Sequence, residues 1–306
     1  MIDVADAYLV EYVANVSEGQ RLDVVRRIAD AACGPGVSVL DVHSDPDHNR
    51  SVITVVGSVD AIEASALRLA TEAITQIDLR QHRGTHPRIG ALDVLPFVPL
   101  GATPMATCVA LAHDAGRQIA ATMNVPVYFY GEAALREERR LLVNIRRGEY
   151  EGLAAAISSD PSRWPDAGPR SIGPAGAVAV GSRPPLIAMN VHLCTEDLAM
   201  ARAIARTIRA SSGGLPGVQA LGLPTSRPGI VQISMNLTNF AVSPPHVVVD
   251  AIRGEAARRG IALAETELVG LIPAAAALAA AASSLGLLAL DAGQVLEWAA
   301  REAMDR

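Results

Sequence analysis

The apolar positions in the first hundred residues change their period several times, and each change marks a predicted element. Alternating apolar residues predict strands, because successive side chains of a strand point to opposite faces. Spacings of three and four predict helices, as after NVSEG, where Val24, Val25, Ile28 and Ala31 share one face. The resulting order is strand, helix, strand, strand, helix and strand, over residues 7–16, 15–33, 37–43, 50–57, 60–77 and 91–100.

The same order of elements appears again downstream. Its members are strand PLIAMNVHL, helix EDLAMARAIARTIRASS, strands GVQALGL and GIVQISMNLTNF, helix PHVVVDAIRGEAARRG and strand IALAETELV. The copies share the order of their elements and not their residues. We therefore predict an α/β (α+β) protein of two ferredoxin-like βαββαβ subdomains, over residues 1–180 and 181–306. Two such layers would leave a ligand tunnel or cleft between them.

A segment of different composition lies between the two copies. After a predicted helix at 104–122 and a strand at 125–131, the stretch from Glu132 to Gly181 ends in SSDPSRWPDAGPRSIGPAGAVAVGSRPP. Its prolines and glycines are typical of a linker or of a ligand-binding loop. We expect the boundary between the subdomains in this segment.

Composition limits the possible partners. The chain of 306 residues is 50% apolar and 19% charged, so it has enough apolar material to fold by itself. A net charge of −6 argues against a nucleic-acid partner, since such binding needs clustered cations. All 26 cations are arginines, which excludes lysine nucleophiles and Schiff bases.

Cysteine usage and the amino terminus favour a cytoplasmic protein. Cys33, Cys108 and Cys194 lie far apart and match neither a disulfide framework nor a metal knuckle. The first residues carry early acids and no basic region before an apolar run, so we expect no secretory signal. The run from Leu268 to Leu290 is long enough to cross a bilayer, but its composition is dominated by alanine. We predict a buried helix there and no membrane partner.

Polar residues cluster in two places near predicted strand ends. In NVSEG, Ser17 is either the cap of the following helix, or the free amides of that helix bind an anion. The sequence DVHSDPDHNR, at 41–50, is either an ordinary turn or a polar loop that lines the cleft. Its spacing of His and Asp matches no metal-binding signature, so we predict no metal.

The third cluster, QHRGTHPRIGALDV, contains the strongest candidate for acid–base chemistry. A loop histidine titrates near neutral pH, and Pro87 fixes the backbone beside His86. Arg88 would place a forked cation nearby for a substrate carboxylate. The alternatives are that the loop histidines are merely exposed to solvent and that Arg88 pairs with Asp93. The fourth cluster, Gly168 to Gly181, is either a loop for a flat ligand or an inert linker.

These motifs, taken in order, resemble a known family. YVANVSEG, DPDHNRSVITVVGS, HRGTHPRIGALDVLPFVPL, VPVYFYGEA, IRRGEYEGL, GPRSIGPAGAVAVGSR, LIAMNVHL and ELVGLIP are similar to the formiminotransferase domain of glutamate formimidoyltransferase and of formimidoyltransferase-cyclodeaminase. The resemblance implies two ferredoxin-like subdomains with a folate tunnel between them and a homodimer. It also implies transfer of a formimino group from formiminoglutamate to tetrahydrofolate, which serves as co-substrate.

The resemblance also implies roles for particular residues. The catalytic histidine of the family falls on His86, which would act as base and then as acid. Thr85 replaces the usual glutamate, His43 replaces an aspartate, and the folate loop is a residue shorter. These departures leave open formyl transfer, a different amine substrate, or a folate-binding protein without turnover. The expected substrate ligands are Asn15, His43, Arg50 and Arg88, and the expected folate ligands are Gly168, Pro169, Arg170, Ser171 and Gly176.

Overall fold

The computed structural model describes residues 8–84 and 86–304, with the side chains of 301–303 excepted. The chain divides into two compact units between Pro184 and Pro185. We describe each unit by itself.

The first unit contains a six-stranded sheet in the order β2-β3-β1-β4-β6-β5. Its strands are β1 Tyr8–Val16, β2 Val37–Asp45, β3 Arg50–Ser58, β4 Leu92–Gly101, β5 Val127–Gly131 and β6 Val178–Ser182. Its helices are α1 Leu22–Ala32, α2 Val59–Gln76, α3 Met105–Met123, α4 Leu142–Ile145 and α5 Glu149–Ala156. The first four strands pair antiparallel, and the chain order β1-α1-β2-β3-α2-β4 confirms the predicted ferredoxin-like unit.

One face of this sheet packs against α1, α2 and α3. Tyr12 and Phe97 lie at its centre with no solvent exposure, and their rings meet edge to face at 6.2 Å. The Tyr12 hydroxyl donates to Ser65 Oγ at 2.8 Å, and Ser65 Oγ donates to the Ala32 carbonyl at 2.7 Å. These bonds satisfy the polar atoms that enter the core, since an unpaired buried hydroxyl is destabilising.

Strand β6 lies inside the segment that the sequence suggests is a linker. It pairs parallel with both β4 and β5, and all five of its residues are buried. A second apolar cluster covers its other face, with Tyr128, Leu153 and Ala179 among its members. AVAVGS is thus a short apolar run that forms a strand buried on both faces. The preceding proline and glycine residues made the whole segment resemble a loop in sequence. An inert linker is therefore wrong for this part, and the first unit extends beyond residue 180.

A close backbone contact joins β6 to the loop that precedes β4. Ala177 N donates to the Ile89 carbonyl at 2.8 Å, and Ala91 N donates to the Ala175 carbonyl at 2.8 Å. A Cβ atom on Gly90 would lie 1.9 Å from the Ala177 carbonyl oxygen. Only glycine fits this position, and the contact fixes the path of the chain just after His86.

The second unit repeats the ferredoxin-like order around a four-stranded sheet, β10-β7-β9-β8. Its strands are β7 Ile187–Cys194, β8 Val218–Pro224, β9 Ile230–Leu237 and β10 Leu263–Val269. Its helices are α6 Leu198–Ile208, α7 Pro245–Ala257, α8 Ala274–Leu285 and α9 Leu296–Met304. Helices α6 and α7 contribute Ile204, Val248 and Ile252 to a core against Val191 and Ile233 of the sheet.

The predicted buried helix over Leu268 to Leu290 is wrong in extent and in burial. Leu268 belongs to strand β10, and α8 covers only Ala274–Leu285. The buried residues of α8 are Ala276 and Ala282. Pro273 precedes the helix, and Gly286 ends it in the left-handed conformation at φ 67°. Among the helices of the described ranges, none has both the length and the apolar character to cross a membrane.

Two glycine substitutions should have opposite effects on stability. Gly90→Ala should lower the free energy of unfolding by about 1–3 kcal/mol, because its methyl group overlaps the Ala177 carbonyl. Gly254→Ala, within α7 and with no atom within 4 Å of its Cβ position, should raise it by about 0.5–1 kcal/mol. Urea unfolding of both variants measures this. Equal changes in the free energy of unfolding in the two variants would mean that the Ala177 carbonyl does not prevent a larger residue at position 90.

Candidate active site in the first unit

The candidate residues converge because of strand register. Asn15 and His43 both lie opposite Val52, on either side of β3, so all three side chains share one face of the sheet. Arg50 lies two residues before Val52 and therefore points to the same face. The loop between α2 and β4 brings His86 to this group. The structure thus places three predicted substrate ligands on the sheet face at the candidate base.

Arg50 is the centre of the site. Its Nη1 donates to Nε2 of His86 at 2.9 Å, and its Nη2 donates to Oδ1 of Asn15. Its Nε is buried and has no hydrogen-bond partner among the described residues. Burial, with a smaller effect from the nearby cation Arg146, lowers the pKa of Arg50 to about 10. Within the described part of the chain, no carboxylate forms an ion pair with this guanidinium.

His86 is held in its neutral form. Burial of the ring is the main cause, and the cations Arg50 and Arg146 together with His48 add to it, so the pKa of His86 lies well below its usual range. Because a guanidinium only donates, Nε2 of His86 must be the accepting nitrogen, which leaves the ring proton on Nδ1. The lone pair that a base needs is therefore occupied by Arg50.

A second imidazole lies beside the first. The His48 and His86 rings are 5.7 Å apart between centroids, and Nδ1 of His48 lies 3.0 Å from Oδ2 of Asp45. The other oxygen of Asp45 accepts the backbone N–H groups of Asp47 and His48, both at 2.9 Å. Burial alone would raise the pKa of Asp45, but these hydrogen bonds and the His48 ring lower it to about 2. The turn predicted from DPDHN is confirmed, and it also holds a buried histidine.

The loops around the site are cross-linked by Asn49 and His82. The Asn49 side chain accepts from Gly19 N at 2.9 Å and donates to the Arg83 carbonyl at 2.8 Å. Nε2 of His82 donates to the Asn49 carbonyl at 2.9 Å. His82 is 7% exposed, so the alternative of solvent-exposed loop histidines is wrong for it.

Arg88 is engaged elsewhere. Its Nη1 donates to Glu149 and Glu151 at 2.9 Å each, and its Nη2 donates to Glu151 at 2.7 Å. Its Nε donates to Nδ1 of His82 at 3.3 Å. The guanidinium of Arg88 thus already binds two carboxylates of the protein, which argues against its predicted role in binding a substrate carboxylate. The alternative, that Arg88 pairs with an acid of the protein and orders the loop, agrees with these contacts, although the acids are Glu149 and Glu151 and not Asp93.

Asp93 instead pairs with a residue that the sequence did not single out. Nη2 of Arg146 donates to Oδ2 of Asp93, and Ile89 N donates to Oδ1 at 2.7 Å. Arg146 Nε is buried and has no hydrogen-bond partner among the described residues. Arg146 and Glu149 both belong to the motif IRRGEYEGL, which was the only signal in the sequence that could have pointed to them.

In NVSEG, neither predicted role of the helix start is observed. Ser17 Oγ donates to the Gly90 carbonyl at 2.7 Å and does not cap α1, which begins only at Leu22. The Glu18 carboxylate accepts the amides of Gln20 and Arg21, at 2.9 and 2.8 Å. These amides are therefore occupied by Glu18, and the site for an anion at this position is already filled.

The predicted folate loop lies next to the segment that follows His86. Gly176 contacts the Ile89 carbonyl and pairs with Gly90 in an isolated bridge. Gly168 and Gly176 have left-handed φ values of 89° and 72°, which favour glycine. The Arg170 guanidinium stacks 3.5 Å from the centre of the Trp164 ring, and Pro169 and Ser171 lie between the two glycines. The backbone conformation alone thus explains why glycine stands at both ends of the loop, with or without a ligand.

A narrow recess lies beside His86, lined by residues between Val16 and Asp93. Its lining residues are Val16, Ser17, His48, Asn49, Arg50, His82, His86, Arg88 and Asp93. In the described ranges, no group of three His, Cys, Asp or Glu side chains could hold a metal ion. Thr85, where the sequence departs from the family pattern, lies outside the described residues. The recess is thus lined by the imidazoles of His48, His82 and His86, by Asp93, and by Arg88 and Arg50. Among the described residues Arg50 has no carboxylate partner, and imidazoles beside such a cation are groups that can transfer protons.

The chain matches two models of one protein family. The family model for the N-terminal subdomain of the formiminotransferase domain matches residues 9–183, and the model for the formiminotransferase domain matches residues 188–286. The chain belongs to the formiminotransferase family.

Its relatives include proteins of the same length and longer ones. A glutamate formimidoyltransferase of Thermoplasma acidophilum is 46% identical over 94% of this chain and 96% of its own length. One of Streptococcus pyogenes serotype M1 is 39% identical over 88% and 91%. The formimidoyltransferase-cyclodeaminase of Rattus norvegicus is 40% identical over 90% of this chain, which spans 52% of that protein.

Arg88→Lys tests whether this arginine is structural. Lysine keeps the charge but cannot bind Glu149, Glu151 and His82 together, so we expect the free energy of unfolding to fall by about 1–3 kcal/mol. The affinities for formiminoglutamate and folate should change by the same factor. Urea unfolding and titration of both ligands measure this.

The matched control is Arg80→Lys, in an exposed pair with Asp78. It should change stability by less than about 0.5 kcal/mol. A selective loss of formiminoglutamate binding in Arg88→Lys would restore the role that the sequence predicts.

Proposed function

We propose that this chain transfers the formimino group of N-formimino-L-glutamate to tetrahydrofolate, as its relatives' names and the resemblance in sequence suggest. The observation that carries the proposal is the Arg50–His86 contact, at 2.9 Å, in a member of the formiminotransferase family. It combines a cation that lacks a carboxylate with an imidazole that is neutral at rest. A dicarboxylate donor and a proton-transfer step require those two groups.

Arg50 is the proposed ligand for a carboxylate of the donor. A buried guanidinium is stabilised by a charged hydrogen-bond acceptor, and Asn15 supplies only a neutral one. When the donor binds, Arg50 turns from Nε2 of His86 to the carboxylate. Binding of the donor therefore frees the lone pair of the base. Asn15 and His43, on the same sheet face, are the proposed polar neighbours of the donor.

His86 is the proposed base for the attack. A secondary amine of the reduced pteridine adds to the formimino carbon, and Nε2 of His86 takes the proton that this amine loses. The carbon–nitrogen bond to glutamate then breaks, its electron pair stays on the glutamate nitrogen, and that nitrogen receives a proton. General acid–base help of this kind contributes ~10² to 10⁴ in rate, and positioning of the two substrates supplies more.

The folate is proposed to lie along the loop from Gly168 to Gly176. This loop adjoins the segment after His86, and Arg170 and Ser171 are exposed in it. We further propose that the protein is a cytoplasmic homodimer without a metal, as the resemblance and the separate cysteines suggest.

The function is tested by incubating the protein with tetrahydrofolate and N-formimino-L-glutamate and measuring formimino-folate. The rival substrate, a formyl donor with the same amino acid, is run in parallel. Product from the formyl donor alone would replace the proposed reaction by formyl transfer. Folate binding without product from either donor would indicate a binding protein.

His86→Gln should lower kcat by ~10² to 10⁴, because glutamine keeps a hydrogen bond to Arg50 but cannot accept a proton. Folate affinity and the unfolding midpoint should remain close to those of the wild type. His113→Gln, a change of the same type on α3, serves as the control and should keep full activity. A His86→Gln enzyme with more than a few per cent of the wild-type rate would exclude this residue as the base.

Arg50→Gln should raise KM for formiminoglutamate by about 10- to 100-fold and leave KM for folate nearly unchanged, since about 1.5–3 kcal/mol is typical of hydrogen bonds to charged groups. It should also change the pH profile. Arg50 lowers the pKa of His86, so its removal raises that pKa, and activity that needs neutral His86 is lost at a higher pH.

Kinetics from pH 4 to 9 measure this shift. Arg117→Gln, which removes an exposed pair with Asp114, is the control. An unchanged KM for the donor in Arg50→Gln would reject Arg50 as its ligand.

A further inference from the structure

We propose that His48, held by Asp45, is a second catalytic histidine and donates the proton that the departing glutamate nitrogen needs. This inference rests on the proposed function. It replaces a single histidine that acts twice by two histidines that each act once.

The two rings lie in opposite electrostatic surroundings. His86 contacts Arg50 directly and has Arg146 nearby, so a proton on its accepting nitrogen is opposed by two cations. His48 has the Asp45 carboxylate at 3.0 Å from Nδ1, so a second proton on that ring is balanced by an anion. Pairs of groups whose surroundings separate their protonation in this way are typical of an acid and a base at one site.

The Asp45 carboxylate is well suited to hold a proton donor. It accepts two backbone N–H groups in addition to the ring, and its low pKa, about 2, keeps it ionised at neutral pH. As a carboxylate only accepts, Nδ1 of His48 carries a hydrogen, and delivery of a proton from Nε2 would leave the contact with Asp45 in place. The ring is 4% exposed and cannot turn freely.

Position also favours this role. Both rings line the same recess, and their centres are 5.7 Å apart. The attacking and the leaving nitrogen are bonded to one carbon, so two rings at this spacing can each address one of them. The charged or titratable groups around His48 and His86 are Asp45 and Asp47 on the turn, Arg50 on β3, His82 and Asp93 around the loop, and Arg146 after α4.

The protons balance across the cycle. His86 gains the proton of the attacking amine as the new carbon–nitrogen bond forms. Protonated His48 gives its proton to the glutamate nitrogen as the old bond breaks, and the electron pair of that bond stays on the nitrogen. Transfer of the proton from His86 to His48, through solvent after the products leave, restores both rings. No oxidant or reductant is needed.

The test compares donors whose leaving amines differ in basicity. In His48→Gln, transfer from formiminoglutamate should fall by ~10² to 10⁴, because the alkyl amine must be protonated to leave. Transfer from 4-(formimino)aminobenzoate should stay within a few-fold of the wild type, because its arylamine is weakly basic, and it keeps a carboxylate for Arg50. The acid limb of the pH profile, which belongs to His86, should remain in His48→Gln.

A second variant separates this role from a structural one. Asp45→Asn keeps an acceptor for the turn but removes the negative charge beside the ring, so transfer from formiminoglutamate should slow while transfer from the aryl donor stays within a few-fold of the wild type. His113→Gln is again the control, and it should alter neither donor nor pH profile.

The outcomes distinguish the two levels of the proposal. A wild-type protein inactive with both donors overturns the proposed function and this inference with it. An active wild type with equal losses for both donors in His48→Gln or in Asp45→Asn overturns the role of His48 alone.

Discussion

The site is organised around the half-buried Arg50, whose guanidinium has no carboxylate partner among the described residues and whose Nε is buried. Removing a cation from water is unfavourable unless hydrogen bonds or an anion compensate. The buried cations Arg88 and Arg139 have acids, Glu149 and Glu151 for Arg88 and Asp166 for Arg139, and the half-buried Arg146 has Asp93. Arg50 has only the neutral groups of Asn15 and His86, and its Nε has no hydrogen-bond partner among the residues described. The charge of Arg50 and its Nε–H group could therefore still be compensated by an anionic substrate that binds beside them.

The surrounding contacts explain how this unfavourable arrangement persists. Arg50 begins β3 and is held in register by β1 and β2 on both sides, so its backbone cannot move away. The loop of His86 is fastened at both ends, by His82 to Asn49 and by Gly90 to the Ala177 carbonyl. The packing of the sheet thus compensates for the unfavourable burial of a cation at the start of β3. Such compensation is expected of sites that are organised in advance for a ligand.

Different parts of this structure were predictable from sequence for different physical reasons. Alternation and helical spacing gave both ferredoxin-like units, because these periods follow directly from burial of one face. Asn15, Arg50 and His86 could be proposed because they stand in polar motifs near strand ends, and the structure brings them into contact. Arg146 and Glu149 were not, because their partners are 53 and 61 residues away in sequence. Pairings of this separation are set by packing and leave no local pattern.

The sequence DPDHN shows why turn chemistry and catalysis need not be alternatives. A carboxylate has about four lone-pair positions, and Asp45 uses two of its hydrogen bonds for the amides that close the turn. The remaining oxygen is available for Nδ1 of His48 without loss to the turn. A motif that is fully explained as a turn can therefore still orient a functional ring, and only the position of that ring, beside His86 and Arg50, distinguishes the two cases. For this reason the composition of the loop could suggest a site but could not assign its members.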